Sequence, residues 1–387
     1  MNVRHLLIGL LATVGFLSLI CLGWTWYAFH PASPQAIGRF PLQERWHIRL
    51  EGHGLVSLVS WHDVIYACLG DRVCAFCSQD GAIHWQRDLP VFVSRSAFFT
   101  VNHGVLCVAE SPIVGFDRGR VITLDTATGE ELWRAENPHD LMVFHLAVGP
   151  DAVFVSRRYG LTAYDRLTGA ELWRQDGLGS RIWAEGDYVF TDYVVARQAR
   201  GGNKLWTTSI AGTPSSAASD GQTLYICTTN GTWTALDMKT GRVRWSFEGG
   251  ILFRAFDPPL LTPGILCSGD WTSAIFALDP ANGQLLWQTR GPIPVPLGAG
   301  NVIGSPVLLD GVIYVRASED GRVYALSRDT GEGLGHLETY SYEPLARHNL
   351  VTAGGLLIVP VGDHELYAFG PPVLSPERIG LNVETMK

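Results

Sequence analysis

The sequence repeats one motif at intervals of several tens of residues, and this repetition constrains the fold more than any other feature. Residues 121–133 (VITLDTATGEELW) and residues 161–173 (LTAYDRLTGAELW) share an Asp, a Gly four positions later and a Trp four positions after that. Such a period is typical of solenoids, propellers and other arrays, in which each unit packs on the next.

The motif recurs along the whole chain, and its ends complete each other. The glycines of the successive copies are Gly81, Gly129, Gly169, Gly202, Gly241, Gly283 and Gly331. Residues 366–370 (LYAFG) hold only the first half of a further copy, whereas residues 45–52 (RWHIRLEG) hold only the second half, with Trp46. If these halves share one sheet, the two ends close a ring of eight units.

Each unit contains signals for four short antiparallel strands. In the fifth unit, the runs TLYICTT and TWTALD flank Asn230-Gly231, which is a strong hairpin signal. The following D-x-x-T-G segment suits a turn, because Asp and Thr bond nearby backbone and Gly accepts a positive φ. Radially repeated four-stranded sheets form a β-propeller. We therefore predict an all-β, eight-bladed propeller over residues 40–372.

The pattern A-x-D-x-x-T-G-x-x-x-W resembles the tryptophan-docking motif of the pyrroloquinoline quinone (PQQ)-type eight-bladed propellers. The resemblance extends from Trp46 to Gly370. That superfamily includes quinoprotein dehydrogenases and also non-enzymatic members similar to the bacterial outer-membrane barrel-assembly lipoprotein. The repeat residues form the scaffold, so the resemblance implies a fold more directly than a function.

The repeated tryptophans are expected to dock neighbouring blades rather than to bind a cofactor. Each ring is predicted to lie against the small residue, usually Ala, that begins the next blade's motif, and it contributes ~150–250 Å² of contact. Gly335 stands where the eighth Trp is expected. The docking residues are Trp46, Trp85, Trp133, Trp173, Trp206, Trp245 and Trp287.

The N-terminus carries a membrane signal. Residues 6–29 contain no charged side chain and are long enough to span a bilayer, with Arg4 on the leading side. We predict a cytoplasmic N-terminus (1–5), an uncleaved transmembrane signal anchor (6–29), a linker (30–39) and a C-terminal tail (373–387). The alternative is a cleaved signal peptide. The propeller is expected on the extracytoplasmic side, periplasmic or extracellular, of the cell membrane.

The cysteines are interpreted as buried packing residues rather than as disulfides. Cys68, Cys107, Cys227 and Cys267 fall in the second strand of four units, at what the pattern suggests is one equivalent position, with Val315 in the seventh unit. Cys74 and Cys77 form a C-x-x-C on a predicted strand, where residues three apart face opposite sides. We predict no metal or redox role for this pair.

The sequence gives little support to catalysis. The resemblance to quinoproteins would imply a catalytic Asp, a calcium site of Glu, Asn and Asp, and often two adjacent cysteines over the quinone, but this chain contains no Cys-Cys pair. It also contains no HExxH, GxSxG or CxxCH pattern. The formal charge of −8 argues against nucleic-acid binding.

A set of cations near the starts of the innermost strands is the candidate binding site. In a propeller these strand starts converge on one mouth of the central pore, where a basic collar suits an anionic ligand or a partner's carboxylates. The alternative is that each cation pairs with a nearby acid. The collar residues are Arg95, His145, Arg181, Arg254, Arg347 and His348. Loops 111–120, 257–264 and 292–301 form a second candidate surface.

Two functions from different classes fit these features. The favoured one is a monomeric, membrane-anchored, non-catalytic propeller that binds other envelope or membrane proteins and needs no cofactor. The alternative is a PQQ-dependent oxidoreductase with calcium and an atypical site.

Overall fold

The computed structural model describes residues 35–90, 98–109, 120–136, 143–177, 181–191, 194–250, 253–255, 257–269, 274–290, 302–317, 321–339 and 348–372. The predicted anchor, residues 6–29, and tail, residues 373–387, lie outside these ranges. The described residues include no helix with the length and apolar character of a bilayer-spanning segment.

The described residues form 33 strands, which we group by blade. Blades 1 to 4 contain β3 (Ser57–Trp61), β4 (Val64–Cys68), β5 (Arg72–Cys77) and β6 (Ile83–Asp88); β7 (Phe98–Asn102), β8 (Val105–Ala109), β9 (Arg120–Asp125) and β10 (Glu131–Glu136); β11 (Val143–Val148), β12 (Ala152–Arg157), β13 (Gly160–Asp165) and β14 (Glu171–Asp176); and β15 (Ile182–Glu185), β16 (Tyr188–Thr191), β17 (Val195–Gln198) and β18 (Lys204–Thr207).

Blades 5 to 8 complete the ring. They contain β19 (Pro214–Ser219), β20 (Thr223–Thr228), β21 (Thr232–Asp237) and β22 (Val243–Glu248); β23 (Leu260–Thr262), β24 (Ile265–Gly269), β25 (Ala274–Leu278) and β26 (Leu285–Arg290); β27 (Val302–Leu309), β28 (Val312–Ala317), β29 (Val323–Ser327) and β30 (Gly333–Glu338), with β1 (Gln35–Gly38); and β31 (Val351–Ala353), β32 (Leu356–Val361), β33 (Glu365–Gly370) and β2 (Gln43–Arg49).

The eight-bladed propeller predicted from the repeats is confirmed. Every blade contains four antiparallel strands, and in blade 8 the strand β2 pairs with β33 so that Trp46 lies opposite Ala368. The first strands of most neighbouring blades contact one another around the ring, which places them at its centre. The N- and C-terminal ends of the propeller therefore share one blade and close the ring.

The turn between the third and fourth strands is built by the D-x-x-T-G segment itself. In blade 2, Asp125 Oδ1 accepts hydrogen bonds from the N–H groups of Ala127 and Thr128, at 2.9 Å each. Gly129 then adopts φ +71°, which is the left-handed region that favours glycine. The motif thus fixes the hairpin that carries each Trp.

Each tryptophan docks on the turn of the following blade. A Cβ added to Gly129 would lie 2.5 Å from Cε3 of Trp85, and the Nε1–H of Trp85 donates to Thr126 O at 3.0 Å. The same arrangement, with a ring over the next motif glycine and an indole N–H bonded to that turn, holds for Trp46, Trp85, Trp133, Trp173, Trp206, Trp245 and Trp287.

The docking partner differs from the one expected. The motif alanine pairs with the Trp of its own blade, as Ala75 with Trp85 and Ala235 with Trp245. The next blade instead offers its glycine, because only a residue without a side chain lets the indole lie flat on the turn. The ring therefore spans two blades, with a small residue beneath it in each.

The four strand-two cysteines are buried as expected, but they do not share one position. Cys107 and Cys267 pair with the motif positions Thr123 and Ala277, whereas Cys68 and Cys227 lie two residues further along their strands. The corresponding residues of blade 7 are Tyr314 and Arg316, not Val315. All four cysteines are free and fully buried.

Blade 7 carries an additional fifth strand. Gln35–Gly38, which belongs to the segment predicted as a linker, pairs antiparallel with the outer strand β30, and Gly38 lies opposite Gly335. Arg39 N–H also donates to Leu334 O at 3.0 Å. The chain thus passes along the outside of blade 7 before it enters blade 8.

Candidate functional site

The pore mouth is the place where the structure collects polar side chains from several blades. The starts of the first strands, the ends of the second strands and the starts of the third strands all lie at this end of the ring, as the pairings Ser57 with Cys68 and Arg72 with Asp88 show. The D-x-x-T-G turns lie at the opposite end. Propellers bind partners with the loops of one such face.

His145 and Arg181 come together at this mouth. A β-bulge lies between Val143 and His145 at the start of β11. Burial, together with the charge of Arg181, lowers the pKa of His145 to about 4. His145 is therefore neutral at neutral pH, and it does not add a charge to the predicted basic collar.

Arg181 links blade 4 to blade 5. Its Nη1 donates a hydrogen bond to Ser215 O at 2.5 Å. Ser215 Oγ in turn donates to Ala255 O at 2.6 Å, and Ser216 Oγ donates to Asp257 O at 2.6 Å, so blade 5 is bonded to the segment that enters blade 6. Both serines are buried, and these contacts hold the backbone at the mouth in place.

Asp257 brings a carboxylate to the same mouth. Its side chain remains in contact with solvent, yet it sits on the inner side of a ring of protein, and the resulting desolvation raises the pKa of its carboxyl. The backbone N–H of Gly304 and the charge of Arg181 act in the opposite direction. The concave surroundings of the mouth exclude water from the carboxylate even though part of its surface is exposed.

The remaining predicted collar residues fall into three groups. Arg254 is partly exposed, and its Nε is buried without a hydrogen-bond partner. His348 is buried, with Nε2 at 3.0 Å from Asp363 Oδ1. Arg95 and Arg347 lie outside the described residues. The described members of the predicted collar are therefore two arginines and two histidines, and the carboxylates of Asp257 and Asp363 lie beside them. Whether it binds a ligand stays a prediction.

Arg316 is a further charged residue at this mouth, and sequence reasoning missed it. It is 1% exposed, its Nη1 donates to His348 O at 3.2 Å, and its Nη2 donates to Pro360 O. Burial lowers the pKa of its guanidinium to about 10, so the group stays charged at neutral pH. A single Arg within the apolar strand VIYVRA was the available signal.

A cavity of about 230 Å³ lies in the pore towards the end that carries the D-x-x-T-G turns, because Asn102, Glu185 and Ser219 are the last residues of their first strands. Its walls are the first strands of blades 2 to 5, with His145 and Asn102 from blades 3 and 2 and Glu185 and Ser219 from blades 4 and 5. Small residues such as Ala147 and Ala217 leave the space open.

The predicted loop surface is only partly described. Residues 111–119 and 292–301 lie outside the described ranges, and Leu260–Thr262, within the predicted loop 257–264, form the innermost strand of blade 6. Arg254 therefore precedes its innermost strand by six residues rather than lying at its start. Residues 260–262 are therefore part of the scaffold.

The cysteines offer no reactive thiolate at the mouth. Burial raises the pKa of Cys68 and of Cys227 to about 12, and it raises that of Cys74 to about 11. Within the described ranges, no group of three His, Cys, Asp or Glu residues is placed to hold a metal ion.

Fold and mouth together define an eight-bladed propeller of the tryptophan-docking type. A sequence model of the family described as "Outer membrane protein assembly factor BamB" matches residues 28–247, 157–344 and 257–371. This chain belongs to that family.

Individual relatives agree with the family match. The "Outer membrane protein assembly factor BamB" of Yersinia pestis is 28% identical over 242 residues, which cover 55% of this chain and 60% of that protein. "Quinohemoprotein alcohol dehydrogenase ADH IIB" of Pseudomonas putida is 26% identical over 323 residues, covering 74% of this chain and 42% of that enzyme. The crystal structure of BamB from Moraxella catarrhalis has a TM-score of 0.65 at 19% identity, covering 86% of this chain and 99% of that chain, and it supports the fold.

Proposed function

We propose that this chain is a non-catalytic propeller that assists envelope assembly by binding other envelope proteins at its pore mouth. The family match along the whole ring is the observation that carries the proposal. The relative from Yersinia pestis bears the name of an outer-membrane protein assembly factor. We further propose that residues 6–29 anchor the propeller on the extracytoplasmic side of the membrane.

The mouth suits a protein partner because it offers charges of both signs on a fixed frame. Arg181 and Asp257 belong to different blades, and the serines of blade 5 bond to both segments. Positioned charges of this kind favour selectivity and fast association over raw affinity.

Photo-crosslinking in the source organism tests this proposal. A photoreactive residue at Asp257 is expected to capture discrete envelope proteins, whereas the same residue at Asp187, an exposed aspartate at the opposite end of blade 4, is expected to capture none of them. Equal adducts from both positions, or none from Asp257 in a folded chain, would reject the mouth as the contact surface. Loss of the whole chain is expected to lower outer-membrane protein levels.

The predicted anchor is tested separately. The full chain is expected in the membrane fraction after carbonate extraction, and a variant with residues 1–29 replaced by a cleavable signal peptide is expected in the soluble fraction. A variant that remains in the membrane fraction would refute the anchor.

A PQQ-dependent oxidoreductase is the second candidate, and the match to the Pseudomonas putida dehydrogenase favours it. Among the described residues no three His, Cys, Asp or Glu side chains are grouped as metal ligands, and the sequence has no adjacent cysteines. We therefore derive no reaction step. Saturable quenching of tryptophan fluorescence by PQQ with calcium, together with dye-linked alcohol oxidation, would establish this candidate against the scaffold.

A further inference from the structure

Blade 7 lacks the docking tryptophan, and the chain's own N-terminal segment occupies the vacated place. Gly335 stands where the other blades have Trp, and it pairs with the motif residue Ala325. A Cβ on Gly335 would lie 2.6 Å from the N atom of Phe40 and 2.7 Å from the O atom of Ile37. The backbone of residues 37–40 therefore passes directly over this glycine.

Phe40 makes the ring contact that a tryptophan makes elsewhere. In four blades the ring centroid of the docking Trp lies about 6 Å from that of the aromatic residue opposite the motif Ala. The distance is 5.9 Å for Tyr66 with Trp85 and also for Tyr225 with Trp245. In blade 7 the equivalent residue is Tyr314, and its ring lies 5.8 Å from that of Phe40. Phe40 thus replaces the missing indole.

The reason for the replacement lies in the way the ring closes. A Trp in blade 7 would need a D-x-x-T-G turn in blade 8, but blade 8 takes its third strand from β33 and its fourth from β2, so that no turn joins them. Phe40 instead packs edge-on against Phe369 of blade 8, with 6.4 Å between the ring centroids. Leu42 is buried in the hydrophobic cluster that contains Phe369 and lies between blades 7 and 8. Residues 35–42 thus close the seam between blades 7 and 8, whereas a docking tryptophan closes each of the other seven seams.

We infer that the outer edge of β30 and the aromatic pair Tyr314 and Phe369 form a binding groove for an extended peptide. The groove selects a strand with a glycine followed two residues later by an aromatic ring, and residues 35–42 are its occupant in this chain. Gly38 is needed because it faces Gly335 across the pairing, with φ +74°. Main-chain bonds supply affinity and the ring supplies selectivity, as in other strand additions.

Hydrogen exchange on the full chain tests the occupant. Gly335→Ala is expected to expel the segment, so that the N–H groups of residues 35–39 that bond to β30 lose at least tenfold protection. Gly177→Ala is the matched control, because Gly177 has nearly the same backbone, φ +151° against +152°, yet nothing lies within 4 Å of its Cβ. Unchanged protection in Gly335→Ala, or equal loss in both variants, would overturn the assignment.

Peptide binding tests the groove. A fluorescent peptide of residues 34–42 is expected to bind the full-length Phe40→Ala variant saturably and the wild-type chain at least tenfold more weakly, since the tethered segment competes at high effective concentration. The same peptide with Ala in place of its Phe is expected to lose at least tenfold in affinity. Equal binding to both chains, or release of the segment without binding, would reject the groove. Phe40→Leu serves if Phe40→Ala does not fold.

Discussion

Removal of one docking tryptophan should cost a large fraction of the stability of the propeller. Trp287 is 8% exposed, its ring covers Gly331, and its Nε1–H donates to Arg328 O at 2.9 Å. Burial of ~150–250 Å² at ~25 cal/mol/Å² stabilises by about 4–6 kcal/mol, and the hydrogen bond adds about 1 kcal/mol. Partial relaxation of the seam reduces the net effect, so we expect Trp287→Ala to destabilise by about 4 kcal/mol.

Urea unfolding of the full chain in mild detergent, followed by circular dichroism, measures this loss. Leu286→Ala is the control, because the side chain of Leu286 is next to Trp287 in sequence but is 49% exposed. Its removal is expected to change the unfolding free energy by less than about 0.5 kcal/mol. Trp287→Phe should fall between the two, at about 1–2 kcal/mol, since it retains a ring but loses the N–H donor. A loss below about 1 kcal/mol in Trp287→Ala, or an equal loss in Leu286→Ala, would refute the docking argument.

Three further outcomes follow from the same structure. In thermal unfolding, Gly129→Ala should destabilise by about 2–4 kcal/mol, because its Cβ would collide with Trp85 at 2.5 Å. The control Gly311→Ala, in open space at a similar φ of +75°, should cost about 1–2 kcal/mol. Hydrogen bonds from Arg244 and then Thr240 lower the pKa of Asp237 to about 2. The stabilising effect of the carboxylate is therefore present above pH 3.8 and is lost as the pH falls towards 2. Asp237→Asn should flatten the profile of unfolding free energy against pH between 3.8 and 2. His145, with a pKa of about 4, stabilises the fold above pH 6.5 and loses this effect between pH 6.5 and 4, and NMR titration should show a higher pKa in Arg181→Ala.

The ring was predictable because each motif carries its own hairpin turn and its own docking residue. The spacing of the glycines therefore fixed the number of blades, and the half-motifs around Trp46 and Leu366 fixed the closure. The partner of each Trp was wrong because Ala and Gly belong to the same motif, and only the register shows that Ala75 lies in the blade of Trp85.

The mouth was less predictable, since charge depends on surroundings that the sequence does not display. From the sequence, His145 and His348 were both counted as cations of the collar. In the structure His145 is desolvated beside Arg181, and His348 is paired with Asp363. Strand β1 gave no signal either, because Gln35–Gly38 is extended only through its pairing with the edge of blade 7.

The shared blade also sets the order of events during synthesis. Strand β2 is among the first parts of the propeller to be made, but its partner β33 lies at the far end of the chain. At ~5–20 residues per second, roughly 15–60 s pass before the roughly 300 intervening residues are complete. Throughout that time β2 lacks its strand partner, although Trp46 can already dock on Ser78 and Gly81 of blade 1. The last step of folding is therefore the pairing of β33 with β2, which makes the ring continuous.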